Sequence, residues 1–354
     1  MHEASLRALG ERRIIEDILR ARYSGNVRNF GDDCALWPVP PGGGYITMTT
    51  DPCPHPVADL LGFSDYYYWG WLLSTINLSD LAAAGAQPVG LLTSLTLPAD
   101  MSISDFKRLL DGIDECCSSV GASVVGGNLR EGAQIALSGS AIGICDTQPM
   151  SRTGIEAGDS LVVIGDLGSF WAGYFMVTRE VSLHLAYRDM LLRNVLTPSP
   201  KVSVGIDLRR SGCMHACLDN SDGLYPSLMA LVNANGLGVR VDFSNVNFSE
   251  PVISVANELD IDPVRFALGW GDWQLIGAVS PDKLDLATQI CSHHGLGVFK
   301  IGNFHDDDAF IKLVHNGQAG LLMPLDSERF TAESWFETGV ETYAHVMLSA
   351  DLVS

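Results

Sequence analysis

The segment Thr75-Ile-Asn-Leu-Ser-Asp-Leu-Ala-Ala-Ala-Gly-Ala-Gln-Pro88 predicts the end of a long helix that carries an acidic side chain on its apolar face. The helical pattern begins near Ser64, and apolar residues recur along it at three- and four-residue spacing. Gly85 ends the helix, and the proline that closes the segment prevents it from resuming. Asp80 lies four residues after Ile76, in the middle of the apolar stripe.

The position of Asp80 allows two interpretations. A carboxylate among core-facing residues loses its hydration unless it is paired, hydrogen-bonded or bound to a metal. The carboxylate either bonds a nearby backbone group and has no further role, or it is a ligand in a site. The other acidic residues of the chain bear on which interpretation holds.

The composition is typical of a compact protein. The 354 residues, 47% of them hydrophobic, suffice for two domains with sizeable cores. No run of about 18 apolar residues predicts a membrane span, and the N-terminus lacks the apolar core of a signal peptide. The net charge of −20 opposes binding to nucleic acid or anionic lipid, because such binding needs Lys and Arg against phosphate. The eight scattered cysteines favour free thiols in a reducing cytoplasm.

The order of the predicted elements favours a mixed α+β fold with two domains. The pattern of regular elements breaks near residues 146–158, so we place an N-terminal domain at 1–148 and a C-terminal domain at 149–354. The helices are predicted near 5–22, 64–84, 104–120, from 170, 182–193, 200–208, 224–234, 282–293 and 327–354. The strands are predicted near 45–50, 89–97, 122–125, 134–145, 160–164, 215–218, 238–243, 273–279, 297–301 and 309–313.

Acidic residues fall at the ends of predicted elements in both domains, and glycines flank several of them. Glycine lets backbone N–H groups approach an anion closely, and carboxylates that hold Mg²⁺ attract phosphate. Phosphoryl transfer requires mainly positioning and charge neutralisation, so the pattern predicts a metal–nucleotide site. The acidic positions are Asp32, Asp33, Asp51, Asp80, Glu131, Asp219 and Asp222, and the glycines are Gly31, Gly126, Gly127 and Gly223.

Each of these residues also has a structural explanation. Gly-Asp-Asp is common in turns, where Asp bonds its own backbone. Asp51 precedes a proline at a strand end, and Ser221 or Asp222 would serve as the N-cap of the helix from Leu224. The stricter nucleotide and zinc motifs, such as the Walker A loop and His-Glu-x-x-His, are absent from the sequence. The residues alone therefore leave both interpretations open.

Taken together, six segments resemble thiamine-monophosphate kinase. That enzyme belongs to the superfamily of aminoimidazole ribonucleotide synthetase, selenophosphate synthetase and the hydrogenase maturation dehydratase. The match runs in order from about residue 30 to 305. The segments are Gly31-Asp-Asp-Cys-Ala-Leu36, Thr49-Thr-Asp51, Asn77-Leu-Ser-Asp-Leu-Ala-Ala-Ala-Gly-Ala86, Gly126-Gly-Asn-Leu-Arg-Glu-Gly132, Ser151-Arg-Thr-Gly154 with Gly158-Asp159, and Asp219-Asn-Ser-Asp-Gly-Leu224.

The resemblance implies a subunit like aminoimidazole ribonucleotide synthetase, with sheets of the N-terminal domains pairing across a homodimer. It implies ATP and several Mg²⁺ ions in a cleft near that interface, and a small-molecule acceptor. The metal ligands it implies are Asp33, Thr49, Thr50, Asp51, Asp80, Asp219 and Asp222, among which Asp33, Asp51, Asp80 and Asp222 form the catalytic set. The nucleotide contacts it implies are Gly126, Gly127, Asn128, Arg152 and Ser221.

Departures from the family pattern concentrate on the acceptor. Asn128 stands where the family has a metal-binding Asp, so one metal is expected to bind weakly or to be absent. Gly271, beside Asp272, replaces a substrate-contacting Glu, and His55 is the nearest histidine to a substrate-contacting position. We therefore expect the nucleotide half of the site to be retained and the acceptor half, with Gly271, Asp272 and His55 as its candidate residues, to be rewritten.

Three functions are compatible with this sequence. The first is a Mg²⁺- and ATP-dependent kinase that acts on an acceptor other than thiamine monophosphate. The second uses ATP to activate an amide or carboxylate oxygen, as in dehydratase or synthetase chemistry. The third is a non-catalytic nucleotide-binding protein, and Asn128 is the feature that motivates it.

Overall fold

The computed structural model describes residues 13, 16–17, 32–38, 43–306, 309–325, 329–331 and 334–352. Apart from residues 13, 16 and 17, the helix predicted at 5–22 lies outside the described residues, as does Gly31. No described helix combines the length and the apolar character needed to cross a lipid bilayer. All eight cysteines are unpaired thiols, and seven of them are buried.

The N-terminal half forms a five-stranded sheet with two long helices. The strands lie in the order β1-β2-β5-β3-β4, and all neighbours are antiparallel except β3 and β4. The elements are β1 (Ala35–Pro38), β2 (Tyr45–Pro52), α1 (Val57–Leu60), α2 (Tyr66–Ala84), β3 (Gln87–Leu97), α3 (Ile103–Ser119), β4 (Val124–Glu131) and β5 (Ala136–Cys145).

The C-terminal half forms a seven-stranded mixed sheet in the order β12-β11-β8-β10-β6-β9-β7. Its strands are β6 (Ser160–Gly165), β7 (Met214–Asp219), β8 (Gly238–Asp242), β9 (Leu275–Val279), β10 (Gly297–His305), β11 (Ile311–His315) and β12 (Gln318–Leu321). Its helices are α4 (Ser169–Thr178), α5 (Leu185–Leu196), α6 (Val202–Ser211), α7 (Leu224–Asn235), α8 (Glu250–Glu258), α9 (Val264–Leu268), α10 (Leu284–His293), α11 (Trp335–Thr338) and α12 (Val340–Ser349), with a 3₁₀ turn at Pro281–Lys283.

Helix α2 is the element that joins the two halves. It packs on α3, β2 and β5 in its own half and on α6 and β7 in the other. The Asp65 carboxylate caps its first turn by accepting the Tyr67 N–H at 2.9 Å, and Gly85 ends it with a left-handed φ of 66°. Its second half is buried nearly all round, which explains why the apolar residues are not confined to one stripe.

Glycines allow α2 and α3 to cross at close range. A Cβ at Gly70 would lie 2.0 Å from the carbonyl oxygen of Leu109, and a Cβ at Gly112 would lie 2.0 Å from that of Tyr67. Any larger residue at either position would therefore push the helices apart. The close crossing fixes α2, and with it Asp80, relative to the sheet.

The mixed α+β, two-domain prediction is confirmed, and the element boundaries agree to within a few residues for most elements. The boundary at 148/149 stays a prediction. The strand predicted at 122–125 is wrong at its end, because β4 continues through Gly126 and Gly127 to Glu131. Gly127 lies so close to β3 that a Cβ would be 2.2 Å from the Thr93 carbonyl oxygen, so here glycine allows strand pairing and does not form a turn.

Two other predictions need correction. Helices α8 and α9 were not predicted, and the continuous helix expected over 327–354 is replaced, in the described part, by α11 and α12. The strand predicted from Trp273 begins at Leu275. The cause is local, because Trp273 has a positive φ that a strand does not accept.

Candidate metal–nucleotide site

Residues from both halves of the chain line one polar cavity of about 320 Å³. The loop before β1, strand β2, helix α2, the segment after β5 and the loop after β7 all contribute to it. The lining residues are Asp32, Asp33, Thr49, Thr50, Asp51, Pro52, Pro54, Ile76, Asp80, Arg152, Asp219, Ser221, Asp222, Trp270, Trp273 and Arg329. The structure therefore brings together every acidic residue of the predicted metal-ligand set, together with both threonines.

Three carboxylates form the tightest cluster in the cavity. Asp33, Asp80 and Asp219 each place an oxygen within 4.8 Å of the other two. Burial and the neighbouring negative charges raise the pKa of Asp80 well above its usual value and the pKa of Asp219 to about 7. Three buried carboxylates this close repel one another when ionised, so the cluster requires protons or a cation.

The donor set fits a hard divalent cation. Asp33 Oδ2 is buried and has no hydrogen-bond partner among the described residues. Buried carboxylate oxygens are normally paired, and clustered carboxylate oxygens are the ligands that Mg²⁺ prefers. The unpartnered oxygen of Asp33, on a residue that clusters with two more carboxylates, is therefore suited to bind such an ion.

The threonines and Asp51 extend the cluster along β2. Thr49 Oγ1 donates a hydrogen bond to Asp80 Oδ2, whereas Thr50 Oγ1 donates to the Gly139 carbonyl at 2.7 Å. Burial raises the pKa of Asp51, while a hydrogen bond with Asp80 and the charge of Arg329 lower it. The Asp51 and Asp80 carboxyl groups are therefore buried next to each other in the same cavity.

Asn77 fixes the backbone of Asp51 from inside α2. Its Oδ1 accepts the Asp51 N–H at 3.0 Å, and its Nδ2 donates to the Leu73 carbonyl at 2.9 Å. The opposing strand is equally constrained, because a Cβ at Gly139 would lie 2.4 Å from Asn77 Nδ2. Helix α2 therefore supplies one carboxylate, Asp80, and positions a second, Asp51.

Arg152 links the acidic loop before β1 to the C-terminal half. Its guanidinium forms an ion pair with Asp33 Oδ1, and its backbone N–H donates to Asp32 Oδ2 at 3.2 Å. Burial and the neighbouring Asp33 charge raise the pKa of Asp32 to about 6. Arg152 is thus the cation that neutralises part of this acidic wall in the structure.

The loop after β7 carries the acidic residues of the second half. Ser221 Oγ donates to Asp219 Oδ1 at 3.0 Å, and the Asn220 N–H donates to the Gln274 carbonyl at 2.7 Å. Asp222 adds a negative charge that raises the pKa values of Asp33 and Asp51. Ser221 accepts the Gly271 N–H at 3.2 Å through its carbonyl, which ties this loop to the segment that precedes β9.

The structure does not bring Gly126, Gly127 and Asn128 to the cavity of this chain. They lie on β4, an exposed edge strand, and Gly127 is in register with Asp51 through residues of β3 and β5. Three strand spacings separate them, which is about 14 Å. The nucleotide role of Gly126, Gly127 and Asn128, which the resemblance implies, stays a prediction.

The three candidate acceptor residues occupy different places. His55 lies near the cavity, half exposed, with Nε2 2.7 Å from Asp59 Oδ2 and its ring edge-on to Trp69. Gly271, with φ of 90°, packs under the Phe170 ring. Asp272 is buried and does not line the cavity, since its Oδ1 accepts the Phe170 N–H at 3.3 Å. Their contact with an acceptor stays a prediction.

Sequence reasoning missed four residues that the structure places at or behind the site. Asn77 lies three residues before Asp80 on the same helix, and a polar amide on that apolar helix was the signal available in the sequence. Trp270 and Trp273 flank Gly271 in a segment already compared with the family pattern. Arg329 had no signal, because only the tertiary fold brings the end of the chain to the cavity.

The fold and the site define an AIR synthase related protein. The family description "AIR synthase related protein, N-terminal domain" matches residues 31–145, and "AIR synthase related protein, C-terminal domain" matches residues 156–313. Together the two matches cover most of the chain. They contain the five acidic residues of the predicted metal set, and Arg152 lies in the short stretch between the two matches.

Comparison with individual relatives narrows the family further, to thiamine-monophosphate kinases. A thiamine-monophosphate kinase of Methanopyrus kandleri is 31% identical over 203 residues, which span 57% of this chain and 63% of that relative. One of Mycobacterium tuberculosis is 30% identical over 274 residues, 76% of this chain and 80% of the relative. A solved structure of AaThiL complexed with AMPPCP and TMP has a TM-score of 0.79 at 24% identity and covers 93% of this chain and 100% of its own.

The chain belongs to the thiamine-monophosphate kinase family of AIR synthase related proteins. The predicted resemblance and the predicted enzyme class, a kinase of this family, are thereby confirmed. The M. kandleri match spans less than two thirds of that relative.

Proposed function

We propose that this protein is a Mg²⁺-dependent ATP phosphotransferase that acts on an acceptor other than thiamine monophosphate. The observation that supports it most is the convergence of Asp33, Asp51, Asp80, Asp219 and Asp222 from both halves on one cavity. A relative's solved structure holds AMPPCP, a non-hydrolysable ATP analogue, and TMP. The acceptor part of the proposal is supported by the Trp-lined, Gly271-bearing segment before β9.

The carboxylates have a defined task in this proposal. Asp33, Asp80 and Asp219 would hold the divalent cation, and Asp51 and Asp222, which line the same cavity, would be further ligands. The bound metal supplies charge neutralisation for the phosphates of ATP. Thr49 orients Asp80, and Asn77 orients Asp51, so that both oxygens are in place before the nucleotide arrives.

The chemistry is an in-line displacement at the terminal phosphorus. The acceptor oxygen forms a bond to that phosphorus as its bond to the bridging oxygen breaks, and ADP leaves with the bonding electron pair. The acceptor proton passes to a cavity carboxylate or to water. Arg152, already paired with Asp33 at the wall, is the residue that contacts a phosphate oxygen.

We also propose that a second copy of the chain covers β4. Val125 and Leu129 are 55% and 62% exposed on one face of this edge strand, which is unusual for neighbouring large apolar side chains. A homodimer through this face would explain their exposure. It would also give the three β4 residues Gly126, Gly127 and Asn128 a nucleotide site within reach.

Calorimetry with AMPPCP tests the proposed function. We expect binding that requires Mg²⁺, is lost with EDTA, and weakens at least 100-fold, about 2.7 kcal/mol, in Asp80→Asn. Asp100→Asn, an exposed carboxylate on the same half, is the matched control and should bind as the wild type does. Metal-independent binding, or unchanged binding in Asp80→Asn, would contradict the proposal.

Product analysis tests the reaction type and the acceptor. Incubation with ATP, Mg²⁺ and an accepted small molecule should yield ADP and a stable phosphorylated product, whereas free phosphate would indicate transient activation of the acceptor. Rapid formation of thiamine diphosphate from thiamine monophosphate would refute the claim about the acceptor and leave the kinase claim intact.

A further inference from the structure

The segment that follows β5 carries Arg152, and its backbone is bonded to both halves of the chain. The Met150 N–H donates to the Ala84 carbonyl, at the end of α2, at 3.0 Å. The Ser151 carbonyl accepts the Cys217 N–H of β7 at 2.9 Å. These two bonds fix the chain on the N-terminal side of Arg152, so the residues on its C-terminal side need an anchor of their own.

Asn235, the last residue of α7, supplies that anchor. Its Nδ2 donates to the Arg152 carbonyl at 2.8 Å, and its Oδ1 accepts the N–H groups of Gly154 at 2.9 Å and Ile155 at 3.0 Å. Its Nδ2 also donates to the Leu231 carbonyl of its own helix at 2.8 Å. One amide therefore uses both its hydrogens and its oxygen, and it connects the end of α7 to the backbone beside Arg152.

The end of α7 does not need this amide for its own completion. Gly236 follows Asn235 with a left-handed φ of 65°, and its N–H donates to the Val232 carbonyl, as is usual at a helix C-terminus. Only the bond to Leu231 lies within the helix. The other bonds of Asn235 all reach the Arg152 segment, so holding that segment is the main work of this side chain.

Arg152 is thus fixed at both of its ends. Asn235 holds its carbonyl group, while its guanidinium forms an ion pair with Asp33 and its N–H donates to Asp32 Oδ2 at 3.2 Å. Arg152 lines the cavity of the carboxylates, and Asn235 is not among the described residues that do so. Any effect of Asn235 on a ligand in this cavity must therefore pass through another residue.

Fixing a backbone before a ligand arrives has a calculable benefit. Ordering the backbone of a single residue has an entropy cost that corresponds to roughly tenfold in affinity. An arginine whose backbone is already ordered does not incur this cost when it meets a phosphate. Without the Asn235 amide, the backbone beside Arg152 would be ordered only when the ligand binds.

We propose that Asn235 is a positioning residue for Arg152. The Asn235 side chain does not touch the nucleotide, but it holds the Arg152 backbone in the place from which the guanidinium reaches a phosphate oxygen. This inference rests on the proposed function, in which Arg152 contacts phosphate, and it adds the residue that makes this contact favourable. The acidic loop of the C-terminal half precedes the first residue of α7, so both ends of this helix would serve one site.

Calorimetry with AMPPCP and Mg²⁺ on the full chain measures the effect. Asn235→Ala should bind about tenfold more weakly than the wild type, equivalent to about 1.4 kcal/mol. Asn233→Ala is the matched control, because Asn233 is an exposed asparagine two residues earlier on the same helix, and it should bind as the wild type does. Unchanged affinity in Asn235→Ala would overturn the inference.

A double-mutant cycle separates positioning of Arg152 from a general structural role. Arg152→Ala should weaken binding by itself, and adding Asn235→Ala to it should change the affinity less than about twofold, since no guanidinium remains to be positioned. A further tenfold loss in the double variant would show that Asn235 acts by another route, through α7 and the acidic loop. That result, or unchanged affinity in Arg152→Ala alone, would refute the proposed role.

Two further measurements keep the test decisive. Should Asn235→Ala not fold, as judged by circular dichroism, Asn235→Ser takes its place in the cycle, because a serine side chain is too short to bridge Arg152 and Gly154. Wild-type binding of AMPPCP with Mg²⁺ is measured on the same day. Its absence would overturn the proposed function together with this inference, whereas wild-type binding that Asn235→Ala leaves intact would overturn this inference alone.

Discussion

The acidic and the aromatic halves of the cavity are built in different ways. The acidic half draws Asp33, Asp80 and Asp219 from three separate elements, and their oxygens meet within 4.8 Å. The aromatic half draws Trp270 and Trp273 from one short segment before β9. Under the function proposed above, the metal site would depend on several distant elements of the fold, whereas much of the acceptor side would depend on one short segment.

The two halves also differ in the kind of buried polar group that they hold. The acidic half has ion pairs and hydrogen bonds around its carboxylates, through Arg152, Thr49 and Ser221, and still leaves Asp33 Oδ2 and Asp219 Oδ2 without a partner among the described residues. The aromatic half leaves Trp273 Nε1 and one Asp272 oxygen without a partner among the described residues. The unpartnered atoms of the acidic half are therefore acceptors that suit a cation, whereas the aromatic half includes an unpartnered donor.

The largest expected effect concerns the aromatic half. It is the pH dependence that Asp272 gives to the stability of the folded chain. Burial raises its pKa in the folded chain to about 8, against about 3.8 in the unfolded chain. Between those values the folded protein holds one more proton than the unfolded protein, so Asp272 makes stability fall as pH rises, by about 1.4 kcal/mol per pH unit. Asp272→Asn removes this contribution and should become more stable than the wild type at the higher pH.

Urea unfolding at pH 5 and pH 7 in EDTA measures this difference. The stability of the wild type relative to Asp272→Asn should fall by roughly 3 kcal/mol between the two pH values. Asp100→Asn, an exposed substitution, should leave the pH dependence of the wild type unchanged. Parallel curves for Asp272→Asn and the wild type would show that Asp272 is ionised in the folded protein.

The next effect concerns the support of the acidic half. Asn77→Ala removes the acceptor of the Asp51 N–H and the donor to the Leu73 carbonyl in a fully buried position. We expect a loss of about 2 kcal/mol in the free energy of unfolding, since an unpaired buried amide and a small cavity remain. Asn128→Ala on the exposed strand should cost less than about 0.5 kcal/mol.

Metal affinity adds a second readout for Asn77. If Asn77 positions Asp51, Asn77→Ala should also weaken Mg²⁺-dependent AMPPCP binding, by roughly tenfold. A destabilised variant that binds AMPPCP with unchanged affinity would show that Asn77 has a structural role only. Asn77 would then not be a positioning residue for the acidic half of the cavity.

The smallest expected effect is at Asn128. This residue lies three strands from Asp51 on the exposed edge of the sheet, so Asn128→Asp should change the Mg²⁺ dependence of AMPPCP binding less than about threefold in an isolated subunit. A gain larger than about tenfold would show that a carboxylate at 128 reaches a metal, which in this fold requires a partner subunit. Sedimentation analysis of the same sample gives the oligomeric state.

Local patterns predicted much of the fold because they act over a few residues. The apolar spacing of α2 and the glycine at its end are short-range signals, and they predicted a helix that ends at Gly85. The failures came from tertiary contacts. The strand was predicted to end at residue 125, yet β4 continues, and β3 lies so close to Gly127 that glycine is required there within the strand.

The residues of the candidate site likewise fall into two groups, those that a local sequence pattern revealed and those that only tertiary contacts revealed. The acidic residues of the predicted metal set were recognisable because carboxylates beside glycines at element ends form a pattern in the sequence. Asn77, Arg329 and the orphaned Trp273 indole were not recognisable, since their roles depend on which atoms meet across elements. Periodicity reports burial, but it does not report the partner of a buried group.

The sequence by itself indicated most of the helices and strands in their order, the end of the Asp80 helix and the list of carboxylates available for a metal. Only the tertiary structure decided that Asp33, Asp80 and Asp219 share one cluster and that Gly126 to Asn128 lie apart from it. The physical reason is range. Hydrogen bonds within a turn act between neighbours in the chain, whereas the mutual repulsion of buried carboxylates depends on distances that only the folded chain sets.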